Sequence, residues 1–156
     1  MNSTTQSDPV VVGIDGSKNS IKALRWAAEY ARQYELPLVA IAAWGLPAAA
    51  DYAPYYVGQD EYSDVLQTHT QTMLDTAIRE AGVDQTQVQA RTVRGQPRDT
   101  LLAAAQSARL LVVGARGRGG FVGMLLGSVS QQCIQHAPCP VVVVPAESVT
   151  HSTISS

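Results

Sequence analysis

Apolar positions in this chain gather in four short runs and one alternating stretch, and between these they return at helical spacing. The first run, Val10 to Ile14, is β-branched everywhere except Gly13 and suits a strand covered on both faces. Ser17 or Asn19 can then cap a helix to about Tyr34, in which Ile21, Leu24, Ala28 and Ala31 form one apolar face. Pro37 interrupts that pattern before a second strand, Leu38 to Trp44. Gly45 to Gly58 holds Pro47, Pro54, Tyr52, Tyr55 and Tyr56 and reads as a loop. A long helix follows from about Asp60 to Ala81, stopped by Gly82.

Val88, Ala90 and Thr92 alternate with Gln89, Arg91 and Val93, which predicts a third strand. Gly95 turns the chain, and Pro97 sits where a first helical turn tolerates it, ahead of an alanine-rich helix from Asp99 to Ser107. Leu110 to Val113 is the fourth strand, Ser128 to Gln135 opens a fourth helix, and Val141 to Val144 is the fifth strand. Strand and helix alternate without an internal repeat, so the pattern predicts one α/β domain around a parallel sheet with right-handed crossovers. That domain spans residues 9–146, with residues 1–8 and 147–156 as tails. In such sheets ligands bind beyond the carboxyl ends of the strands, where the strand order reverses.

Two strand ends carry suggestive turns. Gly13-Ile14-Asp15-Gly16-Ser17 follows the first strand, and a stretch with six glycines runs from Gly114 to Gly127 after the fourth. Glycine permits positive φ and close backbone approach, and successive amides in such turns form an anion-binding nest. Gly127-Ser128 then opens a helix whose first amides are unpaired. Arg116 and Arg118 supply donors suited to phosphate. The spacer side chains Phe121, Val122, Met124, Leu125 and Leu126 can pin the excursion to the body. A solvated glycine loop capped by Ser128 is the plain alternative. A Walker A loop is excluded, because the only lysines are Lys18 and Lys22, and the G-x-G-x-x-G spacing is absent after either strand.

Composition narrows the class. Hydrophobic residues make up 46% and charged residues 15% of the 156 positions, which fits a globular domain. A net charge of −2 disfavours broad nucleic-acid binding. No apolar stretch is long enough for a membrane span, and the polar start lacks a signal-peptide core, so a cytoplasmic location is expected. Cys133 and Cys139 are too few for a disulfide framework, and with His136 they match no zinc spacing. Asp15 can be a catalytic carboxylate or a metal ligand, but with no second carboxylate in its motif it reads as a turn-fixing, ligand-bonding residue. His69 and His136 read as surface or capping residues. No Ser-His-Asp order and no Gly-x-Ser-x-Gly elbow appears.

Gly114, Gly117, Gly127 and Ser128 form the pattern Gly-x2-Gly-x9-Gly-Ser, and with it the chain resembles the ATP-binding branch of the universal stress protein family. The opening VVGIDGS and the closing GSVSQQCIQHAPCPVVVVP are also similar to that family's first strand and turn and to its last helix and strand. The resemblance implies a Rossmann-like α/β fold: five parallel strands in order 3-2-1-4-5, with about four helices on both faces. It implies ATP, with Mg or Mn, as cofactor. Gly13, Ile14 and Asp15 would lie by the nucleoside, and Ala43 would offer its backbone to adenine. Val113 and Gly114 would border the ribose and phosphates. Gly117, Gly127, Ser128 and Val129 would hold the phosphates, with the Ser130 hydroxyl and Arg116 close by.

It further implies a stress-response module that binds ATP with little or no hydrolysis, pairing as a homodimer through Val141, Val142, Val143 and Val144. Two other classes stay open: a slow ATPase or phosphoryl-transfer enzyme clamped by Arg116 or Arg118, and a dimeric interaction module that takes AMP, a cyclic nucleotide or nothing. The three loop tyrosines suit either a lid or a subunit contact.

Overall fold

A computed structural model describes residues 6–45, 59–118 and 125–146. The tyrosine-bearing part of the 45–58 segment and the spacer residues Phe121, Val122 and Met124 lie outside the described residues. The strands are β1 (Val10–Gly13), β2 (Leu38–Trp44), β3 (Gln89–Arg94), β4 (Leu110–Gly114) and β5 (Val141–Val144). They alternate with helices α1 (Lys18–Gln33), α2 (Gln59–Glu80), α3 (Pro97–Ala105) and α4 (Ser128–His136). All neighbouring strands are parallel, in the order β3-β2-β1-β4-β5. This is the expected five-stranded α/β sheet.

The sheet sorts its side chains by parity. Val10, Val12, Ala40 and Ala42 face α1 and α2, whereas Val11, Val39, Ile41, Leu111 and Val113 face α3 and α4. Strands covered on both sides read as unbroken apolar runs for this reason. Ser17, not Asn19, caps α1: its hydroxyl accepts the Ser20 N–H at 3.1 Å. The buried face of α1 also shifts from expectation. Ala27 is fully buried and Ala28 only partly so, because Ala23, Ala27 and Ala31 bring the helix backbone onto the sheet.

Two other boundaries move. Helix α3 starts at Pro97 rather than Asp99, with Gln96 extended as its cap, because proline's fixed φ suits the first helical position. A short 3-10 turn, Gln85–Gln87, precedes β3, set by Asp84, whose carboxylate accepts the Thr86 N–H at 2.8 Å.

Candidate ligand cleft

β1 and β4 lie side by side at the centre of the sheet, and the chain leaves them for opposite faces, β1 toward α1 and β4 toward α4. Their carboxyl ends therefore open at the switch point. One carboxylate joins the two turns there. Asp15 Oδ1 accepts the Ser17 N–H at 2.9 Å, closing its own turn, and Asp15 Oδ2 accepts the Arg118 N–H at 2.9 Å, from 103 residues away. Asn19 Nδ2 adds a second tie by donating to the Arg116 carbonyl at 2.9 Å. Burial pushes the Asp15 carboxyl up, but the hydrogen bonds from Ser17 and Arg118 together outweigh it and hold the group below the usual carboxylate range.

The glycines serve approach rather than unusual dihedrals. Gly114, Gly117 and Gly127 do not occupy the left-handed region, which is found at Gly16 (φ +83°) in the first turn. Gly127 has φ −78°. A Cβ on Gly117 would stand 2.6 Å from Asp15 Oδ2, and one on Gly114 would stand 3.1 Å from the Asn19 carbonyl. A Cβ on Gly127 would meet only ordinary contacts, at 3.5 Å and beyond. Of the two properties expected of these glycines, close approach and not positive φ is the one used at Gly114 and Gly117, and there it is approach to Asn19 and Asp15.

Gly127 seats α4 against the end of β4. Its N–H donates to the Ala115 carbonyl at 2.6 Å. The buried Ser130 hydroxyl lies 2.9 Å from both the Ala115 and the Gly127 carbonyls, so its proton is engaged by the backbone and braces the turn. The N-cap Gly127 has no side chain to cap α4, and the first-turn amides at Ser128, Val129 and Ser130 are without an intrahelical partner. Leu125 does not pin the excursion: it is 85% exposed, while Leu126 is half-buried.

These elements enclose a cleft of about 500 Å³. Gly13, Ile14 and Asp15 line it from the first turn, and Ala43 from β2. Val113, Gly114, Arg116 and Gly117 line it from β4 and the segment beyond, and Gly127, Ser128, Val129 and Ser130 from the start of α4. Arg118 reaches it as well. Ser20, Ile41, Met73, Pro97, Thr100 and Leu101 also line it; sequence reading had not placed them. Ile41 was legible in principle, since it shares Ala43's face of β2 at period two. Met73 and the α3 residues arrive only through helix packing. The cleft therefore has an apolar side (Ile41, Ala43, Leu101) and a side of amides and guanidinium groups. It suits a ligand with a flat apolar part and an anionic part.

Asp15 is the single carboxylate among its described lining residues, and among the described residues no three His, Cys, Asp or Glu gather as a metal set. His69 and His136 are exposed. Cys133 is buried and Cys139 half-buried, both unpaired as thiols, and burial raises both above the ordinary thiol value. No helix among the described residues is long and apolar enough to cross a membrane.

The chain matches the Universal stress protein family over residues 7–145. It is similar to a universal stress protein of Mycolicibacterium smegmatis, with 39% identity over 141 residues covering 87% of this chain and 45% of that protein. The chain thus spans about half the length of the curated relatives it matches. Among solved structures, a universal stress protein in complex with cAMP is 29% identical, with a TM-score of 0.62 over 92% of this chain and 100% of that one. Universal stress protein UspA from Lactobacillus plantarum shares the fold at a TM-score of 0.71 and 21% identity, over 90% of this chain and 99% of that one.

Proposed function

The chain belongs to the universal stress protein family, and we propose that its cleft binds ATP, with Mg or Mn, as a regulatory stress-response module with little or no hydrolysis. One observation carries this reading. The Asp15 carboxylate fastens the β1 turn to the segment after β4, beside the uncapped first turn of α4. In this reading the phosphates sit on the amides of Gly117, Ser128 and Val129, where N–H groups without an intrahelical partner and the helix dipole favour anions, and beside Gly127, whose own N–H is taken by the Ala115 carbonyl. Arg116 stands at their flank. The adenine lies against Ile41 and Ala43, and the ribose beside Asp15, Val113 and Gly114.

Among the described residues a Cβ on Gly127 would stand in ordinary contact, at 3.5 Å, with the Gly117 nitrogen, so glycine here leaves that amide uncrowded for a phosphate oxygen. A divalent ion would be carried mainly by phosphate oxygens and water, because Asp15 offers one carboxylate already engaged by two backbone N–H groups. The same engagement argues against turnover. Phosphoryl transfer calls for a positioned base and a metal-holding residue, and a carboxyl held below its usual range is a weak base near neutrality.

A second reading, AMP or a cyclic nucleotide in the same cleft, is favoured by the relative solved with cAMP. A third, slow phosphoryl transfer clamped by Arg116 or Arg118, has only the guanidinium groups in its favour. Mass spectrometry of the ligand released from freshly purified protein separates the first two, and a timed assay for ADP tests the third. ATP retained with no ADP formed is the expected result; ADP formation that tracks the purified protein would overturn the binding-only reading.

We further propose a homodimer through β5. Val141, Val142, Val143 and Val144 form an edge strand of which the first three are half-buried. The opposite edge, β3, carries exposed Gln89, Arg91 and Arg94. Charges protect an edge from pairing, and an uncharged apolar edge invites it.

A further inference from the structure

A second concavity, of about 620 Å³, lies behind the cleft on the exposed side of α1. Among the described residues four cations line it, Lys18, Lys22, Arg25 and Arg116, against one carboxylate, Glu80. This is a local reversal of sign in a chain whose net charge is −2. We propose that this groove is a second anion site, which takes a small molecule bearing several phosphate charges.

Lys18, Lys22 and Arg25 stand at i, i+4 and i+7, on one face of α1. A rise of 1.5 Å per residue separates Lys18 from Lys22 by about 6 Å, and from Arg25 by about 10 Å. The cations at the two rims are held in place. Lys22 Nζ donates to the Pro145 carbonyl at 2.9 Å, just beyond β5, and Arg25 Nη2 donates to the Glu80 carbonyl at 3.1 Å, at the end of α2. A carbonyl orients a cation without neutralising it. Arg32 and Arg98 have carboxylate partners, but among the described residues none of the four groove cations does. Lys18 also opens α1 in a first turn without any acid, although the helix dipole disfavours a cation there. That cost is offset if an anion binds.

The volume and the polar lining choose the ligand class. About 620 Å³ falls within the roughly 300–1,000 Å³ of small-molecule sites. Charges spread over about 10 Å call for more than one anionic centre. The groove shares Arg116 and Gly117 with the cleft. An anion there would touch the outer side of the segment that Asp15 and Asn19 hold, so its occupancy would be felt in the cleft.

Titration of the full, nitrogen-15-labelled chain with tripolyphosphate, followed amide by amide, tests the site. The expected result is saturable shifts at Lys18, Asn19, Lys22 and Arg25. In Lys18→Gln/Lys22→Gln these should weaken about tenfold or more, and in the wild type they should fade as salt rises. Both substituted side chains reach solvent, and an unchanged melting temperature checks that the fold is kept. Inorganic phosphate should bind far more weakly than tripolyphosphate. Shifts at Gly114, Gly127 and Ser128 report the cleft separately, so the two sites can fail independently. Shifts confined to the cleft amides, or groove shifts of equal affinity in the double variant, would overturn the proposal. So would binding of hexaglutamate with no response to tripolyphosphate, which would assign the groove to an acidic protein segment.

Discussion

Gly117→Ala offers a test of how the two turns are joined. A Cβ there would stand 2.6 Å from Asp15 Oδ2, a separation that real Cβ atoms do not sustain. Either Asp15 rotates and releases the Arg118 N–H, or the segment lifts and strains the Asn19 bond to the Arg116 carbonyl. Loss of one hydrogen bond to a charged acceptor costs about 1.5–3 kcal/mol. Because Gly117 is outside the left-handed region, alanine also restricts the unfolded chain, which stabilises by about 0.4–1 kcal/mol. The loss wins, with a net destabilisation of about 0.5–2.6 kcal/mol. At roughly 2–4 °C per kcal/mol, the melting temperature falls by about 1–10 °C.

A double-mutant cycle isolates the cause. With Asp15→Ala in place, the atom that the new Cβ would strike is gone, and Gly117→Ala should become neutral or mildly stabilising. Urea unfolding of all four proteins, with a constant m-value, measures the coupling. An equal cost of Gly117→Ala in both backgrounds would refute the contact as the reason for glycine at this position.

Asp15 should also leave a pH signature. Its folded-state carboxyl lies below the ordinary value, so its contribution is present above the unfolded pKa and is lost as pH falls through the folded one. Urea stability of wild type minus that of Asp15→Asn should therefore shrink as the pH falls below about 5; a constant difference would contradict the assigned hydrogen bonds. Ser130→Ala should cost only about 0.5–1.5 kcal/mol, because the Ala115 carbonyl keeps the Gly127 N–H and the Gly127 carbonyl keeps the Gln131 N–H; denaturant midpoints check this. Val142→Lys should shift light scattering from dimer toward monomer, and a wild type that is monomeric at tens of micromolar would sink the β5 pairing.

Four of the strands were legible as short apolar runs next to Pro or Gly, β3 only by its alternation, and β2 and β5 coincide with their expected limits. The face of α1 was less so. Its alanines at 23, 27, 28 and 31 look alike in sequence, and only the approach of the helix to the sheet decides which are covered. Glycine spacing pointed to segments that line the cleft, but not to the contact that demands glycine at one of them. The bond from the Arg118 N–H to Asp15 spans 103 residues, and no local pattern encodes the crowding it imposes on Gly117. Met73, Thr100 and Leu101 enter the cleft through helix packing, beyond the reach of any motif.

ATP is proposed to occupy the cleft with its phosphates at the start of α4. Melting curves of wild type and Gly127→Val, with and without ATP and with and without magnesium, test it most directly. If ATP is present at about a hundred times its dissociation constant, binding to the folded state adds about 2.7 kcal/mol. The melting temperature of the wild type should then rise by roughly 5–10 °C. Gly127 has φ −78°, and its Cβ position is in ordinary contact with the Arg116 and Gly117 backbone, so a valine side chain crowds the Gly117 amide assigned to phosphate, and the melting curve without ATP checks that the variant folds. Its ATP increment should largely vanish. An increment of equal size in the variant, or none in the wild type, would contradict the account.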